Sequence, residues 1–229
     1  MIMMTTMMIM TTTIIMEEKD NSKLKKRSFW RVLLDGLCSF AVWLSRAIIK
    51  TTGFDNLPED GKFLMVSNHV SAYDPIILVH LLKKQRMMFV SKPENFKIPI
   101  CGFLMRKSGF KAINRESPRE ALPTIYESAE VLKTGTPVVI YPEGTRNKEP
   151  EKGLLPFHNG VFKIAKRANA PVYVCATIGT EKISGNMPWR RTDVEFKIVD
   201  IIDSEFVAAN QDKQIGDRVY EALNREIYS

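Results

Sequence analysis

Five short apolar runs, spaced along the chain with helical stretches between them, restrict what this sequence can fold into. They fall at residues 63–66, 88–90, 138–141, 172–177 and 194–202. Each has a strand's length and composition. The stretches between read as helices, at 75–82, 117–133, 160–169 and 211–228. Asp74-Pro75 is a helix start with proline in the first turn. Ser117-Pro118-Arg119-Glu120 has the form of a capping box, with Pro123 expected to kink or delay the helix that follows. An alternation of this kind is an α/β fold.

Three polar motifs follow strands, where α/β folds place their ligands. The first is Ser67-Asn68-His69-Val70-Ser71-Ala72-Tyr73-Asp74. An aspartate five residues beyond a histidine, across a turn, can fold back onto the imidazole. It then fixes the tautomer and supports the charge as the other ring nitrogen takes a proton. With no serine or cysteine nucleophile evident there, the substrate's own hydroxyl becomes the nucleophile. The plainer alternative is that Asp74 only caps a helix. The second motif is Tyr141-Pro142-Glu143-Gly144-Thr145-Arg146. Gly144 lets the backbone approach a ligand, and Arg146 offers a planar fork suited to phosphate. Glu143 either holds Arg146 or binds an acceptor hydroxyl. The third is Gly109-Phe110-Lys111-Ala112-Ile113-Asn114-Arg115, whose Arg115 and Lys111 add positive charge at another strand end.

Residues 28–50 predict an amphipathic helix. Ser28, Arg31, Asp35, Ser39, Arg46 and Lys50 share one side, and Phe29, Trp30, Leu33, Leu37, Phe40 and Trp43 lie among the apolar rest. Such a face needs lipid, a partner helix or a protein core. Its tryptophans and basic flank favour the plane of a bilayer interface. Residues 17–50 carry eight Lys/Arg against four Asp/Glu, much of the whole chain's formal +7. That excess points to anionic partners at a membrane surface, with a solvated basic linker as the bland alternative. Nucleic acid is disfavoured, because no stacking surface or known module accompanies the charge. Residues 1–16, all Met, Ile or Thr, make a poor signal peptide and are too short for a bilayer span. Cys38, Cys101 and Cys175 are far apart and odd in number, which suggests neither a disulfide framework nor a metal site.

Taken together these motifs resemble the glycerolipid acyltransferases, in particular the bacterial 1-acylglycerol-3-phosphate acyltransferases, over about residues 50–205. His69 and Asp74 match the H-x-x-x-x-D block. Ile113-Asn114-Arg115 matches the second block, and Pro142-Glu143-Gly144-Thr145-Arg146 the third. Ala170-Pro171-Val172-Tyr173-Val174 looks like the fourth. The resemblance implies a mixed sheet flanked by helices, with residues 1–50 as tail and membrane-docking helical segment and 51–229 as catalytic domain. It implies His69 and Asp74 as catalytic residues. Arg115, Glu143, Gly144, Thr145 and Arg146, with Asn68, Lys111 and Pro171, would bind substrate. Two departures put the substrate in doubt: Asn147 stands where serine is usual, and Phe157-His158-Asn159-Gly160 where relatives carry basic residues.

The reaction so implied moves a fatty acyl chain from acyl-CoA or acyl carrier protein to the free hydroxyl of 1-acylglycerol-3-phosphate. It requires no metal and no cofactor beyond that co-substrate. Its site would be the cytoplasmic face of the cell membrane, held peripherally or monotopically. Rival acceptors are glycerol 3-phosphate, a lyso-ornithine lipid or another lysophospholipid. A non-enzymatic lipid-binding protein is the remaining rival, and it would have no need of a base.

Overall fold

Runs that are apolar at every position can bury both faces of a sheet, and that is how the strands are used. The computed structural model describes residues 29–58, 61–114 and 117–228. Helix α1 occupies 29–45. The elements then run β1 (Ala47–Thr52), β2 (Leu64–Ser67), α2 (Tyr73–Leu81), β3 (Met88–Ser91), α3 (Cys101–Lys107), β4 (Lys111–Ala112) and α4 (Pro118–Lys133). After these come β5 (Val138–Ile140), α5 (Lys163–Ala168), β6 (Val172–Ile178), α6 (Ile183–Asn186), β7 (Thr192–Ile202), α7 (Ser204–Ala209) and α8 (Asp212–Tyr228). The strands form one sheet in the order β1-β7-β6-β2-β5-β3-β4. All neighbours are parallel except β6 and β7, so the sheet is mixed.

Alternating side chains divide the core into two layers. Leu64 and Val66 of β2 join Val138 and Ile140 of β5 on one face, covered by α4, α5, α7 and α8. Met65 and Val139 point the other way, into a layer closed by α1, α2 and α3. Half of the expected capping box forms: the Ser117 hydroxyl accepts from the Glu120 N–H, while the Glu120 carboxylate accepts from the Asn114 amide, and α4 runs through Pro123 without delay to Lys133.

The N-terminal expectation needs correcting. The helix stops at residue 45, not 50, because Arg46 takes a left-handed turn (φ 55°) into β1. The expected boundary at residue 50 therefore falls inside β1, a strand paired with β7 from Ala47 to Thr52. Part of the polar stripe also turns inward, at Arg31, Asp35 and Ser39, while Arg46 and Lys50 are exposed. Arg31 is buried, bonding Asp35 and the Met87 carbonyl, while Leu34, Cys38 and Val42 pack into the core. Phe29, Val32, Leu33, Phe40, Trp43 and Leu44 are left exposed, with Trp43 72% accessible. No helix among the described residues is long and apolar enough to cross a membrane. The basic run at 17–28 and the tail at 1–16 lie outside the described residues.

Candidate active site

Neighbouring parallel strands deliver their following loops to the same edge, and here β2, β5 and β3 lie side by side. His69 comes two residues after β2, Tyr141 directly follows β5, and Lys92 directly follows β3.

His69 and Asp74 meet: the ring Nδ1 lies 2.8 Å from Asp74 Oδ2. Asp74 is fully buried in the first turn of α2. Its Oδ2 also accepts from the backbone N–H groups of Val70 and Ser71, at 2.8 Å each, and its Oδ1 accepts from the Thr180 hydroxyl. A carboxylate that accepts four hydrogen bonds orients Nδ1–H toward itself, and His69 Nε2, without a hydrogen-bond partner among the described residues, is left for the space that His69 lines. Asp74 is therefore not a helix cap: α2 begins at Tyr73 with Ala72 before it and no side-chain cap bond, and the carboxylate serves His69 and the turn at 70–71 instead.

The second motif holds His69 by its main chain. Glu143 Oε1 accepts from the His69 N–H at 2.8 Å, and the Asn147 N–H donates to the His69 carbonyl at 2.7 Å. Glu143 Oε2 accepts from the Leu155 N–H at 3.1 Å. Both carboxylate oxygens are thus committed to backbone, and Glu143 is buried. Burial raises its pKa above the ordinary carboxylate value, against the lowering effect of these two hydrogen bonds. It neither holds Arg146 nor offers itself to an acceptor hydroxyl, as the sequence had suggested. Asn147 is buried too, its amide donating to the Gly153 carbonyl and accepting from the Glu149 N–H. Gly144 takes the left-handed turn (φ 74°) that carries the chain on to Thr145 and Arg146.

Two connected spaces open at His69. One, about 150 Å³, is lined by His69, Ser91, Lys92, Gly144, Thr145 and Arg146. The other, about 310 Å³, runs from His69 and Arg146 between α1, α2 and α3, past Leu34, Ile76, Val79 and Met105. The first is polar with cations at its rim. The second is walled by hydrocarbon.

Not every expected residue arrives here. Asn68 spends its amide on the two backbone groups of Thr177, so it braces β2 against β6. Lys111 is drawn to Glu127 of α4 at 2.6 Å and lines neither space. Pro171 sits at the opposite end of the sheet: β2 and β6 are parallel, and its carbonyl accepts from Leu64 at the start of β2. Arg115 lies outside the described residues.

Two contributors escaped the sequence reading. Tyr141 stacks on His69, with ring centroids 4.3 Å apart and 20° between planes. Burial, and then Asp74, push its phenol pKa well above the ordinary value. Its hydroxyl is buried without a partner among the described residues. Lys92 lines the polar space together with Arg146 and is its second cation. Its only signal was a basic residue directly after a strand.

A family model described as Acyltransferase matches residues 48–178. A chloroplastic 1-acyl-sn-glycerol-3-phosphate acyltransferase of Brassica napus is 37% identical over 132 residues, 57% of this chain and 37% of its own. The 1-acyl-sn-glycerol-3-phosphate acyltransferase of Helicobacter pylori is 32% identical over 138 residues, 58% of this chain and 57% of its own. The match thus spans less than two thirds of these relatives' lengths. The fold is that of the crystal structure of the 1-acyl-sn-glycerophosphate (LPA) acyltransferase from Thermotoga maritima, with a TM-score of 0.68 and 24% identity over 88% of this chain and 80% of that one.

Proposed function

Since the chain belongs to the acyltransferase family, we propose that it acylates the free hydroxyl of 1-acylglycerol-3-phosphate, using acyl-CoA or acyl carrier protein and giving phosphatidate. One observation carries this reading. The His69–Asp74 pair opens onto a space with cations at one side and hydrocarbon walls at the other. An acceptor with a phosphate and a donor with an acyl chain need both.

In this mechanism Nε2 of His69 removes the acceptor's hydroxyl proton while Asp74 holds Nδ1–H and supports the growing positive charge. The oxygen attacks the thioester carbonyl to form a tetrahedral oxyanion. The first motif's N–H groups at Val70 and Ser71 are committed to Asp74. We assign the oxyanion to the backbone N–H groups of Thr145 and Arg146, for which no protein acceptor is found among the described residues. Collapse expels the thiolate, and His69 returns the proton to it. Arg146 and Lys92 hold the acceptor phosphate, which places its hydroxyl near Nε2. The hydrocarbon-walled space takes the acyl chain. No metal or further cofactor enters this scheme.

The exposed apolar side of α1 suits a monotopic seat on a bilayer, on its cytoplasmic face, from which lipid substrates reach the site laterally. The experiment is a thioester-release assay offering lysophosphatidate and glycerol 3-phosphate in parallel. The parent should prefer lysophosphatidate, and a folded His69→Ala variant should lose at least about a thousandfold in kcat. A folded His69→Ala enzyme that kept most of its rate would end this reading. Arg146→Ala should raise KM for the acceptor far more than for the thioester, and an equal rise in both would take Arg146 out of the phosphate site.

A further inference from the structure

A third space, about 440 Å³, shares no lining residue with the two at His69. Its walls include Ser39 and Trp43 of α1, Arg46, Ile48 of β1, His80 of α2 and Arg191 just before β7. The left-handed turn at Arg46 sets its side chain beside the α6–β7 loop, where Nη1 makes a long contact of 3.4 Å to the Pro188 carbonyl. Both guanidinium groups belong to exposed residues, and neither has a carboxylate partner among the described residues. His80 Nδ1 is fixed by the Ser39 hydroxyl at 3.1 Å, and burial followed by the charge of Lys83 lowers its pKa. It adds a polar wall without adding charge.

We infer that this cavity binds the phosphate of an anionic phospholipid in the bilayer surface. Two unpaired guanidinium groups around one concavity are the chemistry that grips phosphate. The rim selects the lipid source over a soluble anion. Trp43 is 72% exposed, and Trp189, next to the carbonyl that Arg46 contacts, is 85% exposed. Ile48 is 40% exposed. Apolar side chains standing beside a phosphate cradle fit a headgroup with acyl chains beneath it. This inference rests on the membrane seat proposed above and gives it a lipid preference.

The test is flotation of the full chain with vesicles of phosphatidylcholine alone and of phosphatidylcholine mixed with phosphatidylglycerol. The parent should bind the anionic vesicles more tightly. The double substitution Arg46→Gln with Arg191→Gln should remove that preference, at about fivefold per arginine, while weakening phosphatidylcholine binding little. A control with the same charge loss, Lys213→Gln with Arg225→Gln on exposed positions of α8, should keep it. Turnover of detergent-dispersed substrate should be unchanged in both, and thermal unfolding should confirm that both are folded. Retained preference in the Arg46/Arg191 variant overturns the inference alone, as does equal loss in the α8 control, which would mean net charge and no site. Titration of the parent with inorganic phosphate that abolishes vesicle preference would reassign the cavity to soluble anions and overturn it too. A parent that binds neither vesicle removes the membrane seat and the inference with it.

Discussion

At the scale of single residues, the site is a histidine fixed from four sides. Asp74 takes its ring N–H, Glu143 its main-chain N–H, Asn147 its carbonyl, and Tyr141 one face of its ring. Stacking needs the ring of Tyr141 and not its unpartnered hydroxyl, so Tyr141→Phe should keep nearly full activity. Tyr141→Leu should lower kcat about tenfold or more with little change in KM, since a loosened base loses orientation and not substrate. A loss in Tyr141→Phe equal to that in Tyr141→Leu would shift the role to the hydroxyl. Glu143 gives a pH-dependent prediction. Its folded pKa is raised above the ordinary 4.5, first by burial. The carboxyl's favourable contribution is therefore complete below the unfolded value and is lost as pH rises through the folded one. Glu143→Gln removes this titration. It also leaves one of two backbone N–H groups facing an amide donor, at about 1–2 kcal/mol. Urea midpoints measured across the weakly acidic range should be lower and flatter with pH in the variant than in the parent.

At the scale of elements, what could be read in the sequence was set by burial. β2, β3, β5 and β6 are apolar at almost every position because the sheet is covered on both faces, and their runs were plain. β1 was not, because it is an edge strand whose Ala47, Ile48 and Ile49 continue the apolar pattern of α1. The break is one left-handed arginine, with no glycine or proline to announce it. β4 has two residues and α3 seven, too short for a period to show. The same limit applied in the site. His69, Asp74, Gly144, Thr145 and Arg146 followed from their places after strands, and the structure collects them. Pro171 failed because a motif's order in the chain does not say which end of a strand it occupies. Asn68 and Glu143 failed because a buried polar side chain is taken first by unsatisfied backbone. The elements around the hydrocarbon-walled space give a prediction of their own. Cys101 of α3 lines it. Cys101→Phe should fill part of it and shift donor preference toward shorter acyl chains, read as kcat/KM over a series of acyl-CoA lengths. A uniform loss at all lengths would indicate damage to α3 and not a shorter channel.

At the scale of the whole molecule, α1 has two duties that a deletion cannot separate. Leu34, Cys38 and Val42 close one core layer, Arg31 ties the helix to the Met87 carbonyl, and Leu34 and Cys38 wall the space beside His69. The opposite side offers Leu33, Phe40 and Trp43 outward. Removing residues 1–45 would therefore uncover core as well as remove the lipid-facing side, and loss of vesicle binding in such a protein would say nothing about membranes. Substitution on the outer side alone separates the two. Phe40→Glu with Trp43→Glu places charge on two exposed rings that stack on each other and belong to neither core layer, Trp43 also walling the space at Arg46. We expect its thermal midpoint to stay within a few degrees of the parent's, its release of thiol with detergent-dispersed lysophosphatidate to persist, and its flotation with vesicles to fall at least about tenfold, because two apolar anchors are exchanged for two charges repelled by the interface. The deletion, in contrast, should lose cooperative unfolding altogether. Unchanged vesicle binding in the double glutamate variant would move the membrane contact to another surface of the molecule.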